Sequence, residues 1–367
     1  MVIKDLKIEA FRGVLDLKLE NLGEINILAG INNSGKTSVL EAIRLLESPL
    51  DVFNAVRVSR QREYPGPFFA IRGRHGYLES FINMFNLSED GVNVIALSGR
   101  TNGHEFSLKF EGSIEKRLIE IEENKKKLKD REIYNIETSE MITGEVDSFS
   151  GEIQYVEDGK EYKENVSFSQ LDNLSEDKSK KRSVNIVYLS PISHIFWGEP
   201  LFKTIKEGFK SEIVKLLRIF DPQIKGFEVI KDIPYIEHEA LRPMPLSTYG
   251  DGLKKVLLFA TSIIQAKDGI LLIDEIETAI HISAFKKIFD WFVRSCRDYN
   301  VQVFGATHSQ EAIDAILNSS KNNKQLIYED DPLRIITLKK QTNKTFARIL
   351  TGKEALKSRN EFDMELR

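Results

Sequence analysis

Cysteine is almost missing from this sequence. Of 367 residues only Cys296 carries a thiol, so no disulfide forms within the chain, which suits a reducing compartment. A dominant charge is missing too: 52 Lys and Arg against 56 Asp and Glu leave a formal net charge of −4. No overall field therefore draws the chain toward nucleic acid, and any such contact needs a local patch. No apolar run approaches the ~20 residues that a bilayer-spanning helix requires. The N-terminus, Met1-Val2-Ile3-Lys4-Asp5, carries early charges and no signal-peptide core. A cytoplasmic protein with no membrane partner is expected. No internal repeat and no long coiled coil is visible. What is present is an ordinary globular composition, 41% hydrophobic and 29% charged, long enough for one large core or two smaller ones.

Against that background one segment stands out. Gly30-Ile31-Asn32-Asn33-Ser34-Gly35-Lys36-Thr37 matches the phosphate-binding loop G-x-x-x-x-G-K-[ST] at every fixed position. Its flanks fit: Ile25-Asn26-Ile27-Leu28-Ala29 reads as a buried strand, and Val39, Leu40, Ile43 and Leu46 recur at helical spacing. Strand, loop and helix together let backbone N–H groups curl around a phosphate at a helix N-terminus. Asn32, Asn33, Ser34, Gly35, Lys36, Thr37 and Ser38 are the expected nucleotide-binding residues. Lys36 would reach the β- and γ-phosphates of ATP, and the Thr37 hydroxyl would ligate Mg²⁺.

The second half of such a site lies far along the chain. Ile270-Leu271-Leu272-Ile273-Asp274-Glu275 is an apolar strand ending in two carboxylates. At the carboxyl end of a parallel strand beside a phosphate loop, Asp274 can hold Mg²⁺ through its hydration shell and Glu275 can polarise the attacking water. The next strand, Val301–Ala306, ends in Thr307-His308-Ser309, and a histidine there can hydrogen-bond the γ-phosphate or the water.

Between these motifs the pattern gives a coarse architecture. Ile3–Leu19 reads as two strands joined at Gly13, and residues 92–110 read as strands again. Around the Pro65-Gly66-Pro67 turn sit Arg57, Arg60, Arg62, Arg72 and Arg74, which either contact DNA phosphates or an acidic partner, or pair with Glu63 and other acids. From 111 to 182 the composition shifts. Ile114, Leu118, Ile121 and Leu128 suggest one face of a charged helix, supported by Glu122/Lys126 and Glu123/Lys127, followed by hairpins and a polar linker at Leu171–Arg182. This stretch reads as an insertion between a first lobe, 1–110, and a second, 183–367. A helix is expected over about Leu201–Phe220. Beyond Leu246 helices alternate with strands, which argues for a parallel sheet with helices on both faces, and a hairpin around Gln341–Lys344 follows.

Phe11-Arg12-Gly13, the phosphate loop, Leu271-Leu272-Ile273-Asp274-Glu275-Ile276-Glu277 and Thr307-His308-Ser309 together resemble ABC-type ATPases of the SMC/RecF/OLD group. The resemblance covers roughly 1–50 and 184–320. It implies an α/β P-loop NTPase fold: an ABC-type head with a mixed sheet, N-terminal antiparallel strands and a short helical and hairpin insertion. It makes Asp274 the Walker B aspartate, Glu275 the catalytic glutamate and His308 the switch histidine. It also implies a signature motif that meets ATP held by a second subunit, so that head-to-tail association of two or more copies completes the sites. Leu246–Lys255 is the candidate, with Gly250 first and Ser247 or Thr248 second. Two departures are visible: His281 stands at the D-loop aspartate position, and Gln61 is the only candidate offered for the Q-loop glutamine.

The OLD group continues into a Toprim nuclease, for which the residues after Ala315 are too few, so no nuclease is expected here. The chain further resembles stand-alone ATPase subunits of bacterial anti-phage systems such as PARIS and Septu. That implies a separate effector protein, such as a nuclease, gated by ATP-driven assembly. A DNA-binding recombination ATPase of the RecF kind is the alternative.

Overall fold

Ile25–Ala29 (β3) is buried from end to end, and the sheet built around it explains why that strand is uniformly apolar. In the computed structural model β3 runs parallel to a neighbour on each side, β14 (Gln302–Ala306) and β15 (Leu333–Gln341). Beyond β14 lie β13 (Ile270–Ile273) and β9 (Ile186–Leu189), also parallel, while β16 (Lys344–Thr351) closes the opposite edge antiparallel to β15. The six strands form a mixed sheet in the order β16-β15-β3-β14-β13-β9. Its central residues feed two separate cores, as a sheet covered on both faces requires. Ile27, Leu271, Ile273 and Val303 enter one; Leu28, Ile270, Leu272 and Phe304 enter the other. The structure describes residues 2–62, 77–87, 93–122, 141–172, 184–195, 198–231, 233–322, 331–342, 344–362 and 365–366, with 174, 175, 177 and 180.

One face carries the helices α4 (Gly198–Lys206), α5 (Lys210–Phe220), α6 (Asp251–Gln265), α7 (Phe285–Asp298) and α8 (Gln310–Asn322). A small sheet of β10 (Ile224–Ile230), β11 (Ile233–His238) and β12 (Met244–Pro245) packs into the same core through Ile224, Phe227 and Ile236. The opposite face differs from the expected helical cover. There α1 (Lys36–Leu45) and α2 (Val52–Arg60) share the core with an antiparallel sheet. That sheet contains β1 (Ile3–Phe11), β2 (Val14–Leu19), β5 (Asn93–Thr101), β6 (Glu105–Glu122), β7 (Met141–Glu157) and β8 (Lys160–Ser169), with the short β4 (Asn86–Leu87) on β5. The helices α3 (Tyr77–Ile82) and α9 (Gly352–Phe362) complete the described elements.

The charged helix expected from Ile114 is instead strand β6, paired residue for residue with β7 from Phe106↔Glu157 to Glu122↔Met141. The i, i+4 spacing of Ile114 and Leu118 fits a strand face as well as a helix face, because four residues are two strand repeats and close to one helical turn. The β-branched residues Ile114, Ile119 and Ile121 then favour the strand, and pairing with β7 fixes it. The boundary at 110/111 falls inside β6. Leu128, Lys126, Lys127 and Glu123, like Arg72, Arg74, Glu63 and the Pro65-Gly66-Pro67 turn, lie outside the described residues. The helix expected over Leu201–Phe220 is two helices, separated at Gly208, whose φ of 91° a side chain disfavours.

Candidate functional site

The loop between β3 and α1 owes its shape to residues in the left-handed region, Asn33 at φ 64° and Gly35 at φ 101°. A Cβ on Gly35 would lie 2.9 Å from Val14 Cγ2, and one on Gly30 would lie 2.8 Å from the Leu338 carbonyl oxygen. Close packing, against the Val14 side chain at Gly35 and against the Leu338 backbone at Gly30, therefore disfavours a side chain at both positions, as does φ. Asn32 and Asn33 sit exposed at the loop tip, whereas Ser34 is 2% exposed and its Oγ has no hydrogen-bond partner. Lys36 Nζ lies across the loop and donates to the carbonyl oxygens of Gly30 at 2.8 Å and Ile31 at 3.0 Å. Burial lowers its pKa, and the carboxylates of Asp274, Glu277 and Glu275 oppose that shift.

The expected acids arrive where the loop can use them. Thr37 Oγ1 donates to Asp274 Oδ2 at 2.9 Å, joining residues 237 positions apart. Asp274 is 7% exposed, and its pKa is raised first by burial, against the lowering effect of the Thr37 bond. Glu275 takes φ 50°, and its Oε2 accepts from Thr278 Oγ1 at 2.9 Å. A non-glycine residue held in this region stores strain of the kind found at reacting centres. His308 follows β14 and is half exposed. Its backbone N–H donates to Glu277 Oε1 at 3.2 Å, and its Nδ1 lies 3.3 Å from the same oxygen.

Asn32, Asn33, Ser34, Gly35, Lys36, Thr37, Ser38, Asp274, Glu275 and His308 all line one cleft of about 720 Å³. The volume is within the range of small-ligand sites. The hydroxyl of Thr37 and the carboxylate of Asp274 offer the hard oxygens Mg²⁺ prefers, and the orphaned Ser34 Oγ suits a phosphate oxygen. Among the described residues no cluster of three or more His, Cys, Asp or Glu forms a metal cage.

Other residues of the cleft were not expected as contacts: Arg12, Gly13, Arg62 and Lys340. Arg12 belongs to the Phe11-Arg12-Gly13 turn, and its φ is 51°. Both arginines are held by Glu41, which is 1% exposed on α1. Arg12 Nε donates to its Oε2 at 2.8 Å, and Arg62 Nε donates to its Oε1 at 2.7 Å. Arg62 Nη2 also reaches Ser38 Oγ at 3.0 Å. Glu41 sits one turn into the helix after the loop, and that position was the only sequence signal for it. Glu277, quoted as part of a motif but given no role, turns out to hold His308.

The remaining candidates lie elsewhere. Gln61 accepts from Arg44 Nη1 at 2.7 Å and is not among the residues lining the cleft. Arg57 bonds Glu47 at 2.5 Å, and Arg60 is 1% exposed, so these arginines serve the fold rather than an outer basic patch. Ser247, Thr248 and Gly250 are exposed at the start of α6 and do not line the cleft. Thr248 Oγ1 donates to the Pro245 carbonyl at 2.7 Å. A Cβ on Gly250 or Gly252 would meet nothing within 4 Å, so packing within one chain does not demand glycine at either position. His281 caps the turn before α7, its Nδ1 accepting from the Ser283 backbone N–H at 3.3 Å, as an aspartate would.

The family described as "AAA domain, putative AbiEii toxin, Type IV TA system" matches residues 25–314. A Helicobacter pylori protein named ATP/GTP phosphatase is 24% identical over 344 residues, covering 86% of this chain and 87% of its own. Among solved structures, an Smc head bound to the C-terminal winged-helix domain of ScpA superposes with TM-score 0.52 at 12% identity, covering 97% and 100% of the two chains. The Smc head from Pyrococcus furiosus with an extended coiled coil, bound to the C-terminal domain of ScpA, gives 0.51 at 11% identity, covering 99% and 100%. These two share the fold.

Proposed function

The chain belongs to the AAA-domain family that matches it, as an ABC-type ATPase of the SMC/RecF group, and from that premise we propose that it hydrolyses ATP with Mg²⁺ when two copies associate. The observation that carries the reading is the Thr37–Asp274 bond, which brings the end of β13 onto the phosphate loop in a cleft that also holds Lys36, Glu275 and His308. Backbone N–H groups of the loop and Lys36 bind the phosphates, the lysine turning its ammonium from the Gly30 and Ile31 carbonyls to them. Thr37 and Asp274 would hold the metal, which would supply positive charge to the transferring phosphoryl group. Glu275 orients the water and takes up its proton, while His308, fixed by Glu277, faces the γ-phosphate. Gly250, with Ser247 or Thr248, addresses the nucleotide of the second copy. Support for this comes from glycines at 250 and 252 that one chain has no packing reason to keep.

Glu275→Gln tests the reading. Turnover should fall by about 10²–10⁴ with ATP still bound. Unchanged turnover would assign the water to another residue. We infer further that assembly gates a separate effector such as a nuclease, in anti-phage defence, on the strength of the sequence resemblance to stand-alone subunits of such systems. Co-purification with the product of a neighbouring gene checks this, and a lone chain under ATP, ADP and nucleotide-free conditions would dismiss it. The DNA-binding alternative gains no support from Arg57 and Arg62, which are paired with Glu47 and Glu41; Arg72 and Arg74 lie outside the described residues.

A further inference from the structure

Lys340 lines the nucleotide cleft but belongs to none of the motifs that build it. It sits near the end of β15, which flanks β3 on the side away from β14 and β13. The pairing of β15 with β3 ends at Thr337↔Ala29, so β15 runs on past the point where β3 turns into the phosphate loop. Two close approaches fix this overhang. The Leu338 carbonyl abuts Gly30, since a Cβ there would lie 2.8 Å from its oxygen. The Leu338 side chain is buried in the same core as Val14, whose Cγ2 faces Gly35. Alternation along a strand puts Lys340 on the face of Leu338, one step further out.

There it meets the turn between β1 and β2. A Cβ on Gly13 would collide with Lys340 Nζ, so the bare glycine is what lets the ammonium lie over that turn. The other strand of the hairpin is pinned to β2, where Lys344 Nζ donates to Asp16 Oδ2 at 2.6 Å. The remaining lysine and the arginines of the cleft have protein partners: Lys36 donates to loop carbonyls, and Arg12 and Arg62 share Glu41. Among the described residues no carboxylate pairs with Lys340. An exposed lysine without an acid is ordinary on an open surface. This one is held inside a cleft, beside a loop shaped for phosphate.

We propose that Lys340 is a nucleotide-binding residue, its ammonium taking an oxygen of the phosphates on the nucleoside side, which ATP and ADP share. The inference rests on the ATPase reading above, which turns the γ-phosphate toward Glu275 and His308. Those two residues follow β13 and β14, and Lys340 arrives from across β3. A compact charge on a flexible stem suits a phosphate oxygen approached from the side. A contact with phosphates that stay on the nucleoside is the same before, during and after hydrolysis. It therefore lowers KM without raising kcat.

The test measures affinity for ADP and for a non-hydrolysable ATP analogue by calorimetry on the full chain with Mg²⁺, alongside steady-state ATP hydrolysis. Lys340→Met should weaken both ligands by the same factor, about tenfold, as loss of a charged hydrogen bond in an open cleft does. KM for ATP should rise by a similar factor, with kcat changed less than about twofold. Lys339→Met removes the same charge one residue away, on the other face of β15 and outside the cleft lining, and should leave both affinities within about twofold. Without nucleotide, Lys340→Met should melt within about 2 °C of wild type, because the side chain is exposed. Unchanged affinity, a loss confined to the ATP analogue, an equal loss in Lys339→Met, or a nucleotide-free chain that melts well below wild type would each overturn the proposal. A wild-type chain that binds neither ligand would instead strike the underlying ATPase reading.

Discussion

Lys255 shows how a single residue's burial becomes a measurable property of the whole chain. Its folded pKa of about 8 lies below the ordinary lysine value of 10.5, so between these limits the unfolded chain binds more protons. The penalty for burying the charge is therefore full below about pH 8 and is relieved as pH rises toward 10.5. The melting temperature of Lys255→Met should exceed that of wild type most at pH 7, and the gap should close by about pH 10. A gap independent of pH would mean that the lysine is neutral or solvated. Asp274 behaves in the same spirit: burial lifts its pKa, and the Thr37 hydroxyl opposes the shift. Removing that hydroxyl by Thr37→Val should weaken metal-dependent ATP binding by about 1–3 kcal/mol, the range for leaving a buried acceptor unpaired, as read by calorimetry with and without Mg²⁺.

At the level of elements, the phosphate loop is rigid for reasons that a side chain would violate. Gly35→Ala places a methyl group 2.9 Å from Val14 Cγ2 on a backbone at φ 101°. It should lower stability by about 1–3 kcal/mol and abolish nucleotide binding, measured by melting with and without ATP. Gly208→Ala has the same conformational problem at φ 91° but meets nothing within 4 Å, so it should lower stability by only about 1 kcal/mol and leave ATP binding alone. The strands β3, β13, β14 and the β15–β16 hairpin were legible because each is a short apolar or alternating run bounded by turn residues. Strand β6 was not, because spacing by four cannot tell a strand face from a helix face and its pairing partner β7 begins only at Met141.

For the molecule as a whole, the cleft faces residues of its own chain, while Ser247, Thr248 and Gly250 stand exposed away from it. A Gly250→Val chain should therefore melt within about 0.5 kcal/mol of wild type, as surface changes do, while ATP-dependent dimerisation and turnover are both lost. Sizing of Glu275→Gln in ATP and in ADP provides the reference, with a dimer expected only in ATP. Dimers that persist in Gly250→Val would place the second half-site elsewhere. The sequence by itself determined the phosphate loop, the acids after β13 and the histidine after β14, because each is a short pattern whose chemistry depends on near neighbours. Tertiary packing alone decided that Glu41 holds Arg12 and Arg62 and that Glu277 holds His308. Those relations join residues distant along the chain, where burial and the strength of a charge are set by packing, which no local pattern encodes.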